Sequence, residues 1–194
     1  MRAVLWFLTL ARLAFIPLFL QVAGAAQAMA RAGGDASVLR WTSLGILFAM
    51  GVTDVADGLI ARRYELVSQV GAVVDAAADK LAQAALLVFF AVSEGPVFTS
   101  LPLLFVAVIF GRDLLGLLGW LALRAWYGPI VIVHSWHGKA TTGAVAAVLV
   151  SAALGVPSRG LAPFLVATGL LGLGSVLAYF FEGRRRGRAK SAYA

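Results

Sequence analysis

Long apolar runs, separated by short polar, glycine- or proline-bearing stretches, recur six times along the 194-residue chain. They lie near 3–24, 41–61, 70–92, 101–124, 140–157 and 161–181. A helix needs about 20 mostly apolar residues to cross a bilayer, and each run is close to that length. The pattern predicts an all-α integral membrane protein with six transmembrane helices. Gly95-Pro96 and Gly128-Pro129 mark turns between runs, and Pro157-Ser158-Arg159-Gly160 separates the last two. Residues 25–40, rich in Ala and Gly, read as a loop or a short surface helix. The chain shows no internal repeat and reads as one domain, 1–194.

The start of the chain resembles a cleavable leader: Met1-Arg2, an apolar run, then Ala26-Gln27-Ala28. Arg12 sits in the middle of that run and Pro17 follows it. Both argue for a retained first span.

Composition narrows the function classes. The chain is 61% hydrophobic and 13% charged, with mean hydropathy +0.92. Soluble domains carry about a quarter charged residues. A soluble globular domain, a disordered chain and a nucleic-acid-binding module are excluded, so any chemistry must be built into the membrane helices. The net charge of +7 is concentrated at the end, where Arg184, Arg185, Arg186, Arg188 and Lys190 lie in a basic tail, 183–194. A basic run beside a span marks the cytoplasmic side and meets anionic lipid. With six spans, Arg2, Arg62, Arg63, Arg124 and Lys139 share that side, whereas Arg31, Arg40 and Arg159 face the other. This places both termini in the cytoplasm and the chain in the inner (cytoplasmic) membrane as a multi-pass protein. There is no cysteine, hence no disulfide and no thiolate metal site.

The chain has nine acidic residues, and four of them, Asp54, Asp57, Asp75 and Asp79, fall at the cytoplasmic ends of the second and third spans. A carboxylate at a helix centre costs about 2.5–3.5 kcal/mol on insertion scales, and less near the interface. Four together are expensive without a compensating cation. Asp54 and Asp57 are three apart and share a helix face; Asp75 and Asp79 are four apart and share another. If the two helices run antiparallel, both pairs face one interface. Oxygen-only ligand sets suit Mg²⁺, Mn²⁺ or Ca²⁺ rather than zinc. Two shared Mg²⁺ ions would clamp phosphate oxygens during a displacement. Gly58 and Gly71 let a ligand or backbone approach closely, Arg62 suits phosphate, and Ser68 adds a hydroxyl.

Read as Asp54-x2-Asp57-Gly58-x2-Ala61-Arg62-x8-Gly71-x3-Asp75-x3-Asp79, the segment 54–79 resembles the signature of the CDP-alcohol phosphotransferase (phosphatidyltransferase) family at all eight fixed positions. The resemblance implies transfer of a phosphatidyl or similar group from a CDP-linked donor to an alcohol, with release of CMP. It implies Asp54, Asp57, Asp75 and Asp79 as ligands of two Mg²⁺ ions, with Mn²⁺ as a substitute. Asp79 would also take the proton of the acceptor hydroxyl. Asp54, Gly58, Ala61, Arg62, Ser68 and Gly71 would hold the CDP group, and a homodimer is implied as well.

Flanking segments resemble the phosphatidylglycerophosphate synthase branch. These are Leu8-Thr9-Leu10-Ala11-Arg12 with Ile16-Pro17, Asp75-Ala76-Ala77-Ala78-Asp79-Lys80-Leu81, Arg112-Asp113 and Gly138-Lys139-Ala140-Thr141-Thr142. The chain has Ala76 where that branch has Pro, and Asp113 where it has Glu. The expected substrates are CDP-diacylglycerol and a small alcohol or its phosphate, with sn-glycerol 3-phosphate first. Cardiolipin or phosphatidylinositol-phosphate synthesis is the alternative within the family.

An acceptor phosphate needs cations, and Arg112, Lys139 and Lys80 are the candidates. Neighbouring residues on a helix point about 100° apart, so an Arg112–Asp113 pair is expected to be awkward and Arg112 is assigned to the site. Two other classes remain. One is a cation transporter with an acidic site, which has no need of Gly58 and Arg62. The other is a structural protein whose Asp residues pair with Arg62 and Arg63, though two arginines cannot balance four carboxylates.

Overall fold

The computed structural model describes residues 2–63, 69–127 and 136–191. Within them the chain forms six helices: α1 (Arg2–Arg31), α2 (Ser37–Arg63), α3 (Gln69–Val92), α4 (Leu103–Tyr127), α5 (Trp136–Ala153) and α6 (Ser158–Ser191). Each overlaps one of the six expected apolar runs, with α4 starting at Leu103 rather than 101 and α5 ending at Ala153 rather than 157. Among the described residues, four apolar stretches are long enough to cross a bilayer: Leu10–Arg31, Ser37–Ala56, Leu103–Trp126 and Ser158–Ala178. The apolar part of α5, Gly138–Ala153, is shorter. The first half of α3 is interrupted by Asp75, Asp79 and Lys80. Phe48, Leu104, Phe164 and Leu170 are exposed on the helix surfaces, as suits surfaces that meet lipid rather than water.

The helices group into two compact units. The first holds Met1–Ser100 with Ala152–Val156; the second holds Leu101–Ser151 with Pro157–Ala194. In the first, α1 packs on both α2 and α3. Its buried Ile16, Phe19, Ala23 and Ala26 recur at spacings of three and four, one face of a helix. The small residues in that row allow close backbone approach. On α3, Ala78, Ala82, Leu86 and Phe90 form a matching buried row. Phe19, Phe89, Phe90 and Phe98 meet edge to face, with Phe19 and Phe89 centroids 5.5 Å apart. α1 continues through Pro17 without a break, which membrane helices tolerate because neighbouring groups satisfy the freed backbone. In the second unit, α4 packs on α6, and Phe105, Val106, Ile109, Val145, Val148 and Leu161 are buried.

The connection between α1 and α2 corrects the expectation for residues 25–40. α1 runs on to Arg31 and α2 begins at Ser37, so only a tight turn separates them. The reason is composition: Ala25, Ala26, Ala28, Met29 and Ala30 are strong helix formers, and Ala26 and Gln27 are buried. The stop is local. Gly34 N–H donates to Met29 O at 3.0 Å and Gly33 N–H to Ala30 O at 3.1 Å, with Gly33 at φ +78°. This is the left-handed helix end that glycine adopts without steric cost. Asp35 Oδ1 then accepts the Ser37 backbone N–H at 2.8 Å and starts α2. At its own end, α6 extends through the basic run to Ser191 rather than stopping near 181.

Gln27 is a buried polar residue on α1. Its Nε2 donates to Ser93 Oγ at 3.2 Å, and its Oε1 accepts the Val97 N–H at 3.1 Å. Gly95 lies against this amide, and a Cβ there would stand 2.3 Å from Gln27 Oε1.

Gly95→Ala must push the Gln27 amide off its bonds, so it and Gln27→Ala each cost about 1–3 kcal/mol. The double variant costs clearly less than their sum, because Gln27→Ala removes the clash; additive losses in detergent unfolding would contradict this. The Ser37 N–H holds the Asp35 carboxyl below its usual 3.8. Because the folded carboxyl titrates below the unfolded one, the stabilisation is complete above about pH 4 and is lost as pH falls from there through the lower, folded value. Asp35→Ala is therefore less heat-stable than wild type at pH 6, and the difference shrinks below about pH 4.

Candidate active site

In the first unit, three helices meet around one side chain. Arg12, about one turn before the buried row begins at Ile16, is a cation within the apolar first span. An unpaired cation in such a place is costly, and α1 buries it to 2% exposure. Its partners come from the two neighbouring helices. Nη2 meets Asp54 Oδ1 of α2 at 3.1 Å, and Nη1 meets Asp75 Oδ1 of α3 at 3.2 Å. Nη1 also donates to Asp79 Oδ1. Asp75 and Asp79 are one helical turn apart, so both reach the same nitrogen. The planar fork of the guanidinium lets one cation serve two helices.

The carboxylates are much more exposed than the cation, at 53% exposure for Asp54, 41% for Asp75 and 44% for Asp79. Arg12 thus closes the inner side of the cluster, while the acidic groups retain access from outside. Three carboxylates against one guanidinium leave excess negative charge within the cluster.

The expected convergence of α2 and α3 carboxylates is present for Asp54, Asp75 and Asp79. Among the described residues, no group of three or more acidic or imidazole side chains is arranged around a metal position. The donor set itself suits a hard divalent ion: it offers oxygen alone, from three carboxylates on two helices that already converge on one cation. Asp57 is on α2 and Gly58, Ala61 and Arg62 follow it, while Gly71 is on α3. The side-chain environments of these five positions, and Ser68 as a whole, lie outside the described residues.

The three candidate acceptor cations take different places. Lys80 is exposed on α3, next to Asp79, and its Nζ donates to Gln83 Oε1 at 3.4 Å. Lys139 is exposed on α5. Arg112 is on α4 in the second unit, and here the expectation of an awkward neighbour pair is corrected. Its Nη1 meets Asp113 Oδ1 at 3.0 Å, and its Nε donates to Ser175 Oγ of α6 at 3.3 Å. The long arginine stem bends the guanidinium back over the 100° that separates the two side chains. Gly172 faces the Arg112 stem and Thr141, where a Cβ would make ordinary van der Waals contact at 3.6 Å.

Sequence reasoning used Arg12 only as an argument about the leader and as part of a first-span pattern. The signal that identifies its partners was there: one cation inside an apolar span, and four carboxylates that Arg62 and Arg63 could not balance.

Comparison with known proteins agrees with the motif. Residues 6–180 match the family model described as CDP-alcohol phosphatidyltransferase. The chain is 35% identical over 136 residues to a probable phosphatidylglycerophosphate synthase of Mycobacterium tuberculosis, in both strain CDC 1551 and strain H37Rv. That match covers 70% of this chain and 58% of the relative. It is also 42% identical over 65 residues to a cardiolipin synthase (CMP-forming) / mitochondrial hydrolase fusion protein of Schizosaccharomyces pombe. There the match covers 34% of this chain and 10% of the relative. The chain therefore spans less than two thirds of the length of each of these relatives.

Proposed function

The chain belongs to the CDP-alcohol phosphatidyltransferase family, and from that membership we propose that it transfers the phosphatidyl group of CDP-diacylglycerol to sn-glycerol 3-phosphate. The observation that carries the reading is the gathering of Asp54, Asp75 and Asp79, all on motif positions, at one point of a multi-pass membrane protein. The name of the Mycobacterium tuberculosis relative supports glycerol 3-phosphate as acceptor. The Schizosaccharomyces pombe match supports phosphatidylglycerol as the second acceptor to try.

In the proposed reaction the acceptor hydroxyl oxygen attacks the phosphorus that carries diacylglycerol. The bond from that phosphorus to the bridging oxygen breaks, and CMP leaves with the bridging oxygen. The hydroxyl proton passes to the Asp79 carboxylate, which acts as general base. Asp54, Asp57, Asp75 and Asp79 would hold divalent cations, Mg²⁺ or Mn²⁺. Such ions would neutralise the diphosphate and stabilise the leaving CMP. Gly58, Ala61, Arg62, Ser68 and Gly71 bind the CDP portion, with the glycines giving its backbone-side approach. Arg112, Lys139 and Lys80 are proposed cations for the acceptor phosphate. Six spans with both termini in the cytoplasm put the site at the cytoplasmic face of the inner membrane. The basic end of α6 lies against anionic lipid there, and the protein works as a homodimer.

The test is CMP release by the purified chain in phospholipid vesicles. CDP-diacylglycerol is offered with glycerol 3-phosphate, phosphatidylglycerol or inositol phosphate, each with and without Mg²⁺. Release is expected with glycerol 3-phosphate and Mg²⁺. Asp79→Asn is expected to lower kcat by about 10²–10⁴, the usual contribution of a general base. No CMP from any acceptor would refute the proposal, and release only with phosphatidylglycerol would reassign the acceptor.

A further inference from the structure

Without a divalent ion, Asp54, Asp75 and Asp79 repel one another, and buried Arg12 needs anionic partners. Each group therefore meets the other's need. The guanidinium holds α2 through Nη2 and α3 through Nη1. The same carboxylates are the metal ligands of the proposed reaction. A carboxylate oxygen has a limited set of lone pairs, and a unit positive charge in contact with the ligands opposes a second cation. We propose that Arg12 is a built-in counter-cation of the acidic centre. It neutralises Asp54, Asp75 and Asp79 when no divalent ion is bound, and metal loading displaces it.

This inference rests on the reading of the four Asp as a metal centre. It adds that α1 sets the affinity of that centre. Arg12 keeps the metal-free helices together and raises the cation concentration needed to load them. Its three-carbon stem lets the guanidinium withdraw when the ions arrive. Arg12 acts through the carboxylates and is a positioning residue.

The test is Mn²⁺ binding to the full chain in detergent, read as free Mn²⁺ by electron paramagnetic resonance, alongside the Tm of the metal-free protein. Arg12→Gln is expected to bind Mn²⁺ at least about tenfold more tightly than wild type. It also has a lower metal-free Tm and a larger rise in Tm on adding Mn²⁺. Arg12→Lys keeps a cation without the fork, so it folds even if Arg12→Gln does not. Its affinity is expected above that of wild type and below that of Arg12→Gln. Affinity equal to or weaker than wild type in a folded Arg12 variant overturns the inference alone. Absence of Mn²⁺ binding by both wild type and Arg12→Gln, or binding undiminished in Asp79→Asn, overturns the metal reading, and this inference with it.

Discussion

A guanidinium buried among apolar helices cannot stand alone, and neither can a cluster of carboxylates. In this chain each is the other's counter-charge. Arg12 is 2% exposed and draws on Asp54 of α2 and on Asp75 and Asp79 of α3. Breaking a fully buried pair by removing one member generally costs about 3–5 kcal/mol, and solvent reaching the half-exposed carboxylates lowers that cost here. The interaction therefore does two things at once. It fixes α1 against the two helices that carry the motif, and it brings their carboxylates to a common point.

The rest of the first unit holds that point in place. Gln27 lies 15 residues after Arg12, about 22 Å along a straight helix. There its amide ties α1 to Ser93 and Val97 beyond the end of α3. Between the two polar ties, the row from Ile16 to Ala26 packs on its neighbours, and the phenylalanine cluster joins α1 to α3. α1 is thus pinned polar at both ends and apolar in the middle. This arrangement suits a site that must hold charge in place without losing its register.

Much of this was legible in the sequence because charge is so scarce. Six apolar runs gave six helices, and the spacing of Asp54, Asp75 and Asp79 put them on faces that meet. The turn at residues 32–36 was less legible, because an alanine-rich stretch reads equally as loop or helix until Gly33 is seen to end it. Arg12 was visible as an oddity, but helix periodicity does not say which carboxylates a side chain on another helix will reach. Arg112 shows the opposite limit. Helix geometry separates neighbouring side chains by about 100°, yet a long flexible stem closes the gap to Asp113. Backbone periodicity places Cβ atoms well and the tips of arginines poorly.

In the proposed reaction the carboxylates gathered by Arg12 form the metal centre of this family member. Anomalous X-ray scattering from crystals of the full chain soaked in Mn²⁺ tests it most directly. An anomalous peak is expected about 2.0–2.3 Å from oxygens of Asp54, Asp75 and Asp79, with the Arg12 guanidinium withdrawn from them. A peak confined to other residues, or the carboxylates still engaged by Arg12 at saturating Mn²⁺, would contradict it.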